Sequence, residues 1–242
     1  MSLAFSARSA ALVTGYRAIA RMSRGDLCDV YDAWSEEREV RCLVKILRPD
    51  RRAYAADRRR VVSEGELLLS LTHPHIVRAY EVREDPVPFI ALEANPAPTL
   101  AGLIERGPLS VRDLARVATQ ISSALAYLHR RGYAHLDLKP ANVAYDGSSG
   151  ARVFDLSTLR HTRAGDATEA ADAWSLGCLL YEAATCRVPF AADAANTQIP
   201  PPFPKNGRLL PATASVVMRC LSAAPGDRPS IAEIARVFAP LV

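Results

Sequence analysis

The sequence changes character at a short proline-rich stretch, residues 94–99, and this change restricts the folds that the chain can adopt. Before the stretch, several segments have the composition and spacing of β-strands, and after it the apolar residues follow the spacing of α-helices. A small strand-rich part joined to a larger helical part indicates an α+β fold with two lobes. The 242 residues are enough to bury a sizeable core in one or two domains.

Five strands and one helix are predicted before the proline-rich stretch. The strands are expected at residues 16–22, 29–34, 40–47, 76–82 and 87–93, and the helix at 53–72. After the stretch, Ser110 and Asp113 form the pattern of a helix-capping box, and a 3.6-residue apolar period continues from there to Gly132. We further expect a hairpin over 143–155, a buried helix over 173–184 and a last helix close to the C-terminus.

Composition and charge exclude several classes of protein. No apolar run is long enough to cross a membrane, and the arginines between Arg8 and Arg24 interrupt any apolar N-terminal region that could serve as a signal peptide. We therefore expect a cytoplasmic protein without a membrane span. The five cysteines include no close pair, which argues against a disulfide framework or a zinc site. The net charge of +4 is too modest to indicate a nucleic-acid partner.

The strongest chemical signal is the stretch His135-Leu136-Asp137-Leu138-Lys139-Pro140-Ala141-Asn142. It lies between the long helix and the hairpin, so Asp137 and Asn142 can reach one site from a single loop. A carboxylate can orient a hydroxyl group and accept its proton, and a side-chain amide oxygen can hold a metal ion. Lys139 can neutralise phosphate charge between them. Asp155, at the end of the hairpin, could supply a second metal ligand.

A lysine in the middle of an apolar strand is the second signal. Lys45 follows Leu43 and Val44, and a lysine in such surroundings needs an anionic partner. Glu64, on the following helix, is the candidate because leucines follow it at the i+4 and i+7 positions and place it on the inward face. Glu66 would lie roughly 200° away around the helix.

Taken together, these motifs resemble those of the eukaryotic-type, or Hanks-type, serine/threonine protein kinases over residues 16–240. Other segments also match the family in order, namely His73-Pro74-His75-Ile76-Val77, Asp172-Ala173-Trp174-Ser175-Leu176-Gly177, Val188-Pro189-Phe190 and Pro225-Gly226-Asp227-Arg228-Pro229. The resemblance implies one bilobal kinase domain over residues 1–242. Its small strand-rich N-lobe would cover about 12–92, its hinge 93–97 and its larger helical C-lobe 98–242.

The resemblance also implies a role for each site residue. Asp137 would be the catalytic base that serves transfer of the γ-phosphoryl group of ATP, with Lys139 beside it. Lys45, paired with Glu64, would hold the α- and β-phosphates. Mg²⁺ would be bound by Asn142 and Asp155. The remaining nucleotide contacts would come from Gly25, Val30, Leu43, the gatekeeper Leu92, the hinge residues Glu93 and Asn95, and Ala144.

Several positions depart from the family pattern. The phosphate-binding loop keeps only Gly25 of three expected glycines, and Cys28, at the position of the third, is expected to be exposed. Leu136 replaces the arginine that in the family often binds an activation-loop phosphate, as in the non-RD kinases. Leu156-Ser157 replaces the Phe-Gly pair of the family.

The largest departure is a deletion. Only sixteen residues separate Asp155 from Asp172, and the family usually has a much longer segment there. We therefore expect a compact kinase with a shortened activation segment, in which Arg228 needs a partner other than the family's glutamate, with Asp166 and Glu169 as candidates. The segment 190–209 is short and proline-rich, so the usual substrate-docking helix is expected to be absent. Activity should then be independent of phosphorylation, and a protein substrate or partner should dock away from the usual peptide groove.

The sequence leaves two alternatives open. A pseudokinase, which would act as a nucleotide-binding or scaffolding module, is favoured by the lost glycines and the trimmed substrate face, but the retained metal-binding side chains argue against it. A small-molecule kinase of the aminoglycoside-phosphotransferase type shares the H-x-D-x-x-x-x-N loop. Against this second alternative, Lys139, the segment that begins at Asp172, and Arg228-Pro229 favour the protein-kinase branch.

Overall fold

The structure, a computed structural model, describes residues 11–162, 168–190, 200–203 and 210–242, apart from the side chain of Thr168. The chain forms two compact units. The first comprises the residues up to Thr72 together with Val77–Pro96, and the second comprises His73–Ile76 together with the residues from Ala97 onward. The first unit is rich in strands and the second in helices, which confirms the predicted fold class.

The first unit is built on a six-stranded antiparallel sheet with the order β1-β2-β3-β4-β6-β5. Its strands are β1 (Ala11–Val13), β2 (Tyr16–Arg24), β3 (Cys28–Ser35), β4 (Val40–Leu47), β5 (Ala79–Arg83) and β6 (Phe89–Glu93). The helix α1 (Ala55–Ser70) packs mainly against β5. A Cβ atom on Gly65 would lie 2.4 Å from the side chain of Val82, so only glycine permits this close approach of α1 to the sheet.

The side chains of β4 lie alternately on the two faces of this sheet. Cys42, Val44 and Ile46 are buried in a core with Phe89, on whose ring Tyr16 packs edge-on with 5.5 Å between the ring centroids. The residues between them in β4 therefore point to the opposite face, because successive side chains of a strand alternate. This opposite face carries Lys45.

The second unit consists of five α-helices and two short sheets in its described residues. The helices are α2 (Leu100–Ile104), α3 (Val111–Arg130), α4 (Thr168–Thr185), α5 (Pro211–Cys220) and α6 (Ile231–Phe238). The sheets pair β7 (Tyr133–Ala134) with β10 (Arg160–His161), and β8 (Val143–Asp146) with β9 (Gly150–Val153). The predicted cap of α3 is present, since Ser110 accepts a hydrogen bond from the Asp113 amide, and α6 is capped in the same way by Ser230, which accepts one from the Glu233 amide. In the described residues, no helix is long and apolar enough to cross a membrane.

Five elements were not predicted from the sequence, namely β1, α2, α5, β7 and β10. The strands among them have two or three residues and α2 has five, too few for a hydrophobic period to be recognised. The predicted strand at 76–82 begins only at Ala79, because His73–Ile76 belong to the second unit.

In the described residues, Arg228 makes its contacts without a carboxylate, and Asp166, one of its two candidate partners, lies outside them. Its guanidinium donates hydrogen bonds to three backbone carbonyls, those of Ser222 at 2.9 Å, Ala170 at 3.0 Å and Ala223 at 3.1 Å. It also lies over the ring of Trp174, 4.7 Å from the centroid. The fork of N–H groups thus joins the first turn of α4 to the segment that follows α5.

Two histidines of the second unit make its stability dependent on pH. The Nδ1 atom of His73 accepts a hydrogen bond from the amide of His75 at 3.2 Å, and the Nδ1 atom of His75 lies 2.9 Å from the carbonyl oxygen of Ala151. Burial lowers the pKa of both, and the positive charges of His75 and Arg130 lower the pKa of His73 further. Protonation of His73 at Nδ1 would also remove an acceptor that the loop uses.

We therefore expect the free energy of unfolding to fall as the pH decreases below about 6.5, the ordinary histidine value. Below that pH the unfolded chain binds more protons than the folded chain, so acid favours unfolding. Urea denaturation between about pH 8 and about pH 5 measures the effect. The His73→Gln variant should show a weaker pH dependence than the natural chain. A slope that is identical in the two proteins would contradict this assignment.

Candidate active site

An ion pair lies at the centre of the sheet in the first unit. The Nζ atom of Lys45 lies 2.7 Å from the Oε1 atom of Glu64, and the two side chains are only 16% and 9% exposed. Lys45 is opposite Val30 of β3 and Ile90 of β6, so strands flank it on both sides. The predicted pairing with Glu64 is therefore present, and it supplies the anionic partner that a partly buried lysine needs.

Apolar side chains continue the same sheet face beside Lys45. Val30 and Leu43 are half-buried. Leu43 is opposite Leu92 of β6, which is buried, and Glu93 follows with its amide bonded to the carbonyl of Arg78 at 2.8 Å. A half-exposed apolar strip beside a fixed ammonium group is suited to a flat ring joined to an anion. Of the other predicted nucleotide contacts in this unit, Asn95 is half-buried after the end of β6.

The turn between β2 and β3 is tight. The amide of Gly25 donates to the carbonyl of Cys28 at 2.9 Å, and a Cβ atom on Gly25 would lie 3.0 Å from that oxygen. The guanidinium of Arg48 donates to the carbonyls of Gly25 at 3.0 Å and Asp26 at 3.3 Å, which holds the tip of the turn from a neighbouring segment. The conformation of this turn is therefore restricted by the side chain of Arg48 as well as by its own backbone hydrogen bond.

Cys28 is buried, and our expectation of an exposed thiol at this position is wrong. Its residue is 4% exposed, and burial raises the pKa of the thiol to about 12. Cys28 is the first residue of β3 and pairs with Leu47 of β4, so it belongs to the sheet and not to the turn. A thiol that stays protonated is a small core residue and not a redox group.

The polar loop of the second unit brings three predicted side chains together. The Oδ2 atom of Asp137 accepts hydrogen bonds from Lys139 Nζ at 2.7 Å and from Asn142 Nδ2 at 3.2 Å. Asn142 Nδ2 also donates to the backbone carbonyl of Asp137 at 2.9 Å. Asn142 is buried, whereas Asp137 remains partly accessible with a side chain that is 37% exposed. The loop thus presents an oriented carboxylate next to a cation.

The β8–β9 hairpin brings Asn142 and Asp155 to one end. Asn142 immediately precedes β8, and the amide of Phe154, after β9, donates to the carbonyl of Asn142 at 3.1 Å. Asp155 follows directly, and its Oδ1 atom accepts a hydrogen bond from the amide of Ser157 at 3.2 Å. Ala144, the remaining predicted nucleotide contact, is buried within β8. Residues that are 13 positions apart in sequence are therefore neighbours in the backbone of this hairpin.

A comparison with known protein families identifies the family of this chain. Residues 16–166 match the protein kinase domain family. The chain belongs to the protein kinase family. The match includes Lys45, Glu64, Asp137, Asn142 and Asp155.

Relatives of this kinase include bacterial and human proteins. The serine/threonine-protein kinase PrkC of Bacillus subtilis is 31% identical over 208 residues, which are 74% of this chain and 32% of PrkC. The serine/threonine-protein kinase PkaA of Streptomyces coelicolor is 31% identical over 226 residues, 80% of this chain and 41% of PkaA. The human serine/threonine-protein kinase Nek2 is 34% identical over 172 residues, 57% of this chain and 39% of Nek2.

The chain spans less than half the length of these relatives. All three are named serine/threonine-protein kinases, which agrees with the resemblance that we identified from the motifs and does not support the pseudokinase alternative. The family match is also to protein kinases, the branch that we favoured over the aminoglycoside-phosphotransferase type.

A buried carboxylate supports the polar loop of this kinase, and sequence reasoning assigned it no role. Asp172 is fully buried in α4, and it accepts hydrogen bonds from the backbone amides of His135 at 2.9 Å and Leu136 at 2.8 Å. His129 Nε2 lies 2.7 Å from the same carboxylate. Leu136 adopts a positive φ of 62°, and the hydrogen bonds from the amides of His135 and Leu136 to Asp172 maintain this backbone conformation. The available signal was an aspartate in a largely apolar helix.

Proposed function

We propose that this chain is an active protein kinase that transfers the γ-phosphoryl group of ATP to serine or threonine hydroxyl groups of a protein. The observation that carries the proposal is the loop cluster, in which the partly accessible carboxylate of Asp137 is 2.7 Å from the ammonium of Lys139 and 3.2 Å from the amide nitrogen of Asn142. A scaffold needs no such oriented carboxylate. The family match and the names of the relatives support the same function.

Asp137 is assigned the role of base. Its carboxylate orients the acceptor hydroxyl and takes the proton as the new bond from that oxygen to the γ-phosphorus forms. The bond from the γ-phosphorus to the bridging oxygen breaks, and ADP leaves with the electron pair. Lys139, held beside Asp137, offsets the negative charge of the phosphoryl group. Lys45, fixed by Glu64, binds the α- and β-phosphates.

The residues present fit a magnesium ion. Asn142 directs its amide nitrogen at Asp137, and among the described residues its amide oxygen accepts no hydrogen bond. Amide and carboxylate oxygens are the hard ligands that Mg²⁺ prefers, and Asn142 and Asp155 would hold it together with phosphate oxygens. When bound, Mg²⁺ neutralises phosphate charge. In the described residues, no group of three or more His, Cys, Asp or Glu side chains forms a metal site without the nucleotide.

The domain and substrate assignments are part of the same proposal. We propose one kinase domain, with lobes at about 12–92 and 98–242 and a hinge at 93–97 that binds the adenine. The short link of sixteen residues from Asp155 to Asp172 supports docking of a protein substrate away from the usual peptide groove, and activity without phosphorylation. The predicted loss of a docking helix concerns residues 190–209, most of which lie outside the described residues.

Formation of ADP tests the function directly. The purified chain is incubated with ATP and dephosphorylated casein as acceptor, with Mg²⁺ or with EDTA. We expect ADP to form only with Mg²⁺, and to form faster when casein is present. A chain that binds ATP but forms no ADP would leave only a binding role.

Replacing Asp155 by asparagine is expected to abolish the part of nucleotide binding that depends on Mg²⁺. In the natural chain, Mg²⁺ with ATP at about 100 times its Kd should stabilise the fold by about 2.7 kcal/mol. The neutral amide of the variant lacks the charge that attracts the cation, so ATP should stabilise it equally with and without Mg²⁺. Thermal unfolding measures both proteins. The matched control is Asp227→Asn, at an exposed carboxylate of the same unit. A full Mg²⁺ response in Asp155→Asn would remove Asp155 from the metal site.

A further inference from the structure

The segment after Asp155 folds back onto the loop that carries Asp137. Leu156 is buried, and the amide of Leu159 donates to the carbonyl of Leu156 at 3.1 Å, which closes a turn over the two residues between them. Beyond this turn, β10 pairs with β7, and Arg160 lies opposite Ala134, the residue before His135. This backbone arrangement brings Thr158 to the level of His135.

Thr158 makes a direct bond to the polar loop. Its hydroxyl oxygen donates a hydrogen bond to the backbone carbonyl of His135 at 2.8 Å, and its side chain is half-buried. The contact is 23 residues apart in sequence and is made by a side chain, so it depends on the identity of residue 158. It joins the segment that follows Asp155 to the loop that carries Asp137.

His135 is held on three sides by separate groups. Its amide donates to Asp172, its carbonyl accepts from Thr158, and its Nδ1 atom accepts from the amide of Asp137 at 3.3 Å. The ring is fully buried. The peptide group between His135 and Leu136 therefore makes two hydrogen bonds. Its N–H donates to Asp172 of α4, and its carbonyl accepts from Thr158. Together these bonds fix the backbone immediately before Asp137.

We propose that Thr158 is a positioning residue of the kinase reaction, which fixes Asp137 relative to Asp155 through the carbonyl of His135. The inference rests on the proposed function. Two carboxylates with different tasks must be held at a fixed separation, and a displacement of about 1 Å can cost about 10²-fold in rate. Among the described residues, the Asn142–Phe154 backbone bond is one connection between the loop and the Asp155 segment, and the Thr158 hydroxyl is a second.

The test compares two substitutions at one position. Thr158→Val keeps the β-branched shape and loses the hydroxyl, whereas Thr158→Ser keeps the hydroxyl. The matched control is Thr119→Val in α3, because the Thr119 hydroxyl also donates to a backbone carbonyl, that of Ala115 at 2.8 Å, and is likewise half-buried. The Thr119 hydroxyl is also 3.1 Å from the carbonyl of Arg116. Each valine variant loses one hydroxyl donor, so a similar loss of stability is expected for each.

We expect Thr158→Val to lower kcat by about 10- to 100-fold while KM for ATP changes by less than about threefold, because orientation rather than binding is lost. Thr158→Ser should restore most of the rate, and Thr119→Val should leave kcat unchanged. Thr158→Val that transfers phosphate at the natural rate would overturn the proposal. A serine variant as slow as the valine variant would overturn it too, since shape and not the hydroxyl would then matter.

Amide hydrogen exchange separates this proposal from the proposed function. A peptide covering residues 134–138 should exchange faster in Thr158→Val than in the natural chain or in Thr119→Val. This readout needs no activity. If the natural chain shows no transfer, the proposed function is wrong, and the exchange rates still decide whether Thr158 holds the loop. Equal exchange in all three proteins would show that it does not.

Discussion

Replacing Asp137 by asparagine is expected to lower the rate of phosphoryl transfer by about 10²- to 10⁴-fold, the usual contribution of a general base. Asparagine has nearly the same shape and can still accept from Lys139, which lies 2.7 Å from the carboxylate. It cannot take the proton of the acceptor hydroxyl. The loss should therefore appear in kcat, with little change in KM for ATP, when initial rates are measured over a range of ATP concentrations.

The matched control is Asp227→Asn, which makes the same chemical change at an exposed position of the second unit. It should transfer phosphate at the natural rate. An Asp137→Asn variant that keeps more than about one tenth of the natural kcat would show that another group removes the proton.

A double-mutant cycle on Lys45 and Glu64 should show strong coupling. Lys45→Met removes the phosphate-binding charge, and Glu64→Gln removes the carboxylate that lies 2.7 Å from it. We expect each single variant to lose at least about 10²-fold in transfer rate, and the double variant to be little worse than Lys45→Met, because Glu64 acts through Lys45. Both side chains are largely buried, and Lys45→Met removes the ammonium group that lies next to the buried carboxylate of Glu64, at a cost of about 3–5 kcal/mol.

An exposed ion pair of the same unit provides the control for this cycle. Arg17 and Glu36 are 3.0 Å apart, with side chains that are 45% and 51% exposed. Arg17→Met and Glu36→Gln should change stability by less than about 1 kcal/mol and leave transfer unchanged. Purely additive losses for Lys45 and Glu64 would show that Glu64 acts independently of the lysine.

The parts of the site that could be predicted are those in which sequence spacing determines geometry. The alternation along β4 and the leucines after Glu64 place Lys45 and Glu64 on facing surfaces, and the five-residue spacing places Asp137 and Asn142 on one loop. These placements follow from local spacing in the sequence, so they could be predicted without knowledge of the tertiary structure.

The supports of the site could not be predicted because they are tertiary contacts. Asp172 accepts hydrogen bonds from amides of the polar loop that are 36 and 37 residues away in sequence, and Thr158 donates one to His135, which is 23 residues away. A threonine outside a motif carries no sequence signal for such a bond. The same limit explains why the expectation for Cys28 was wrong, because burial is a property of the packed chain.

The most direct measurement is the identification of the phosphorylated amino acid. The natural chain and Asp137→Asn are each incubated with Mg²⁺, γ-labelled ATP and dephosphorylated casein, and the labelled residues are identified after acid hydrolysis. We predict labelled phosphoserine or phosphothreonine with the natural chain and almost none with Asp137→Asn, although thermal unfolding shows that both bind Mg²⁺ and ATP. No labelled phosphoamino acid from a natural chain that binds both, or equal labelling by the two proteins, would contradict the assignment of this chain as a serine/threonine kinase that uses Asp137.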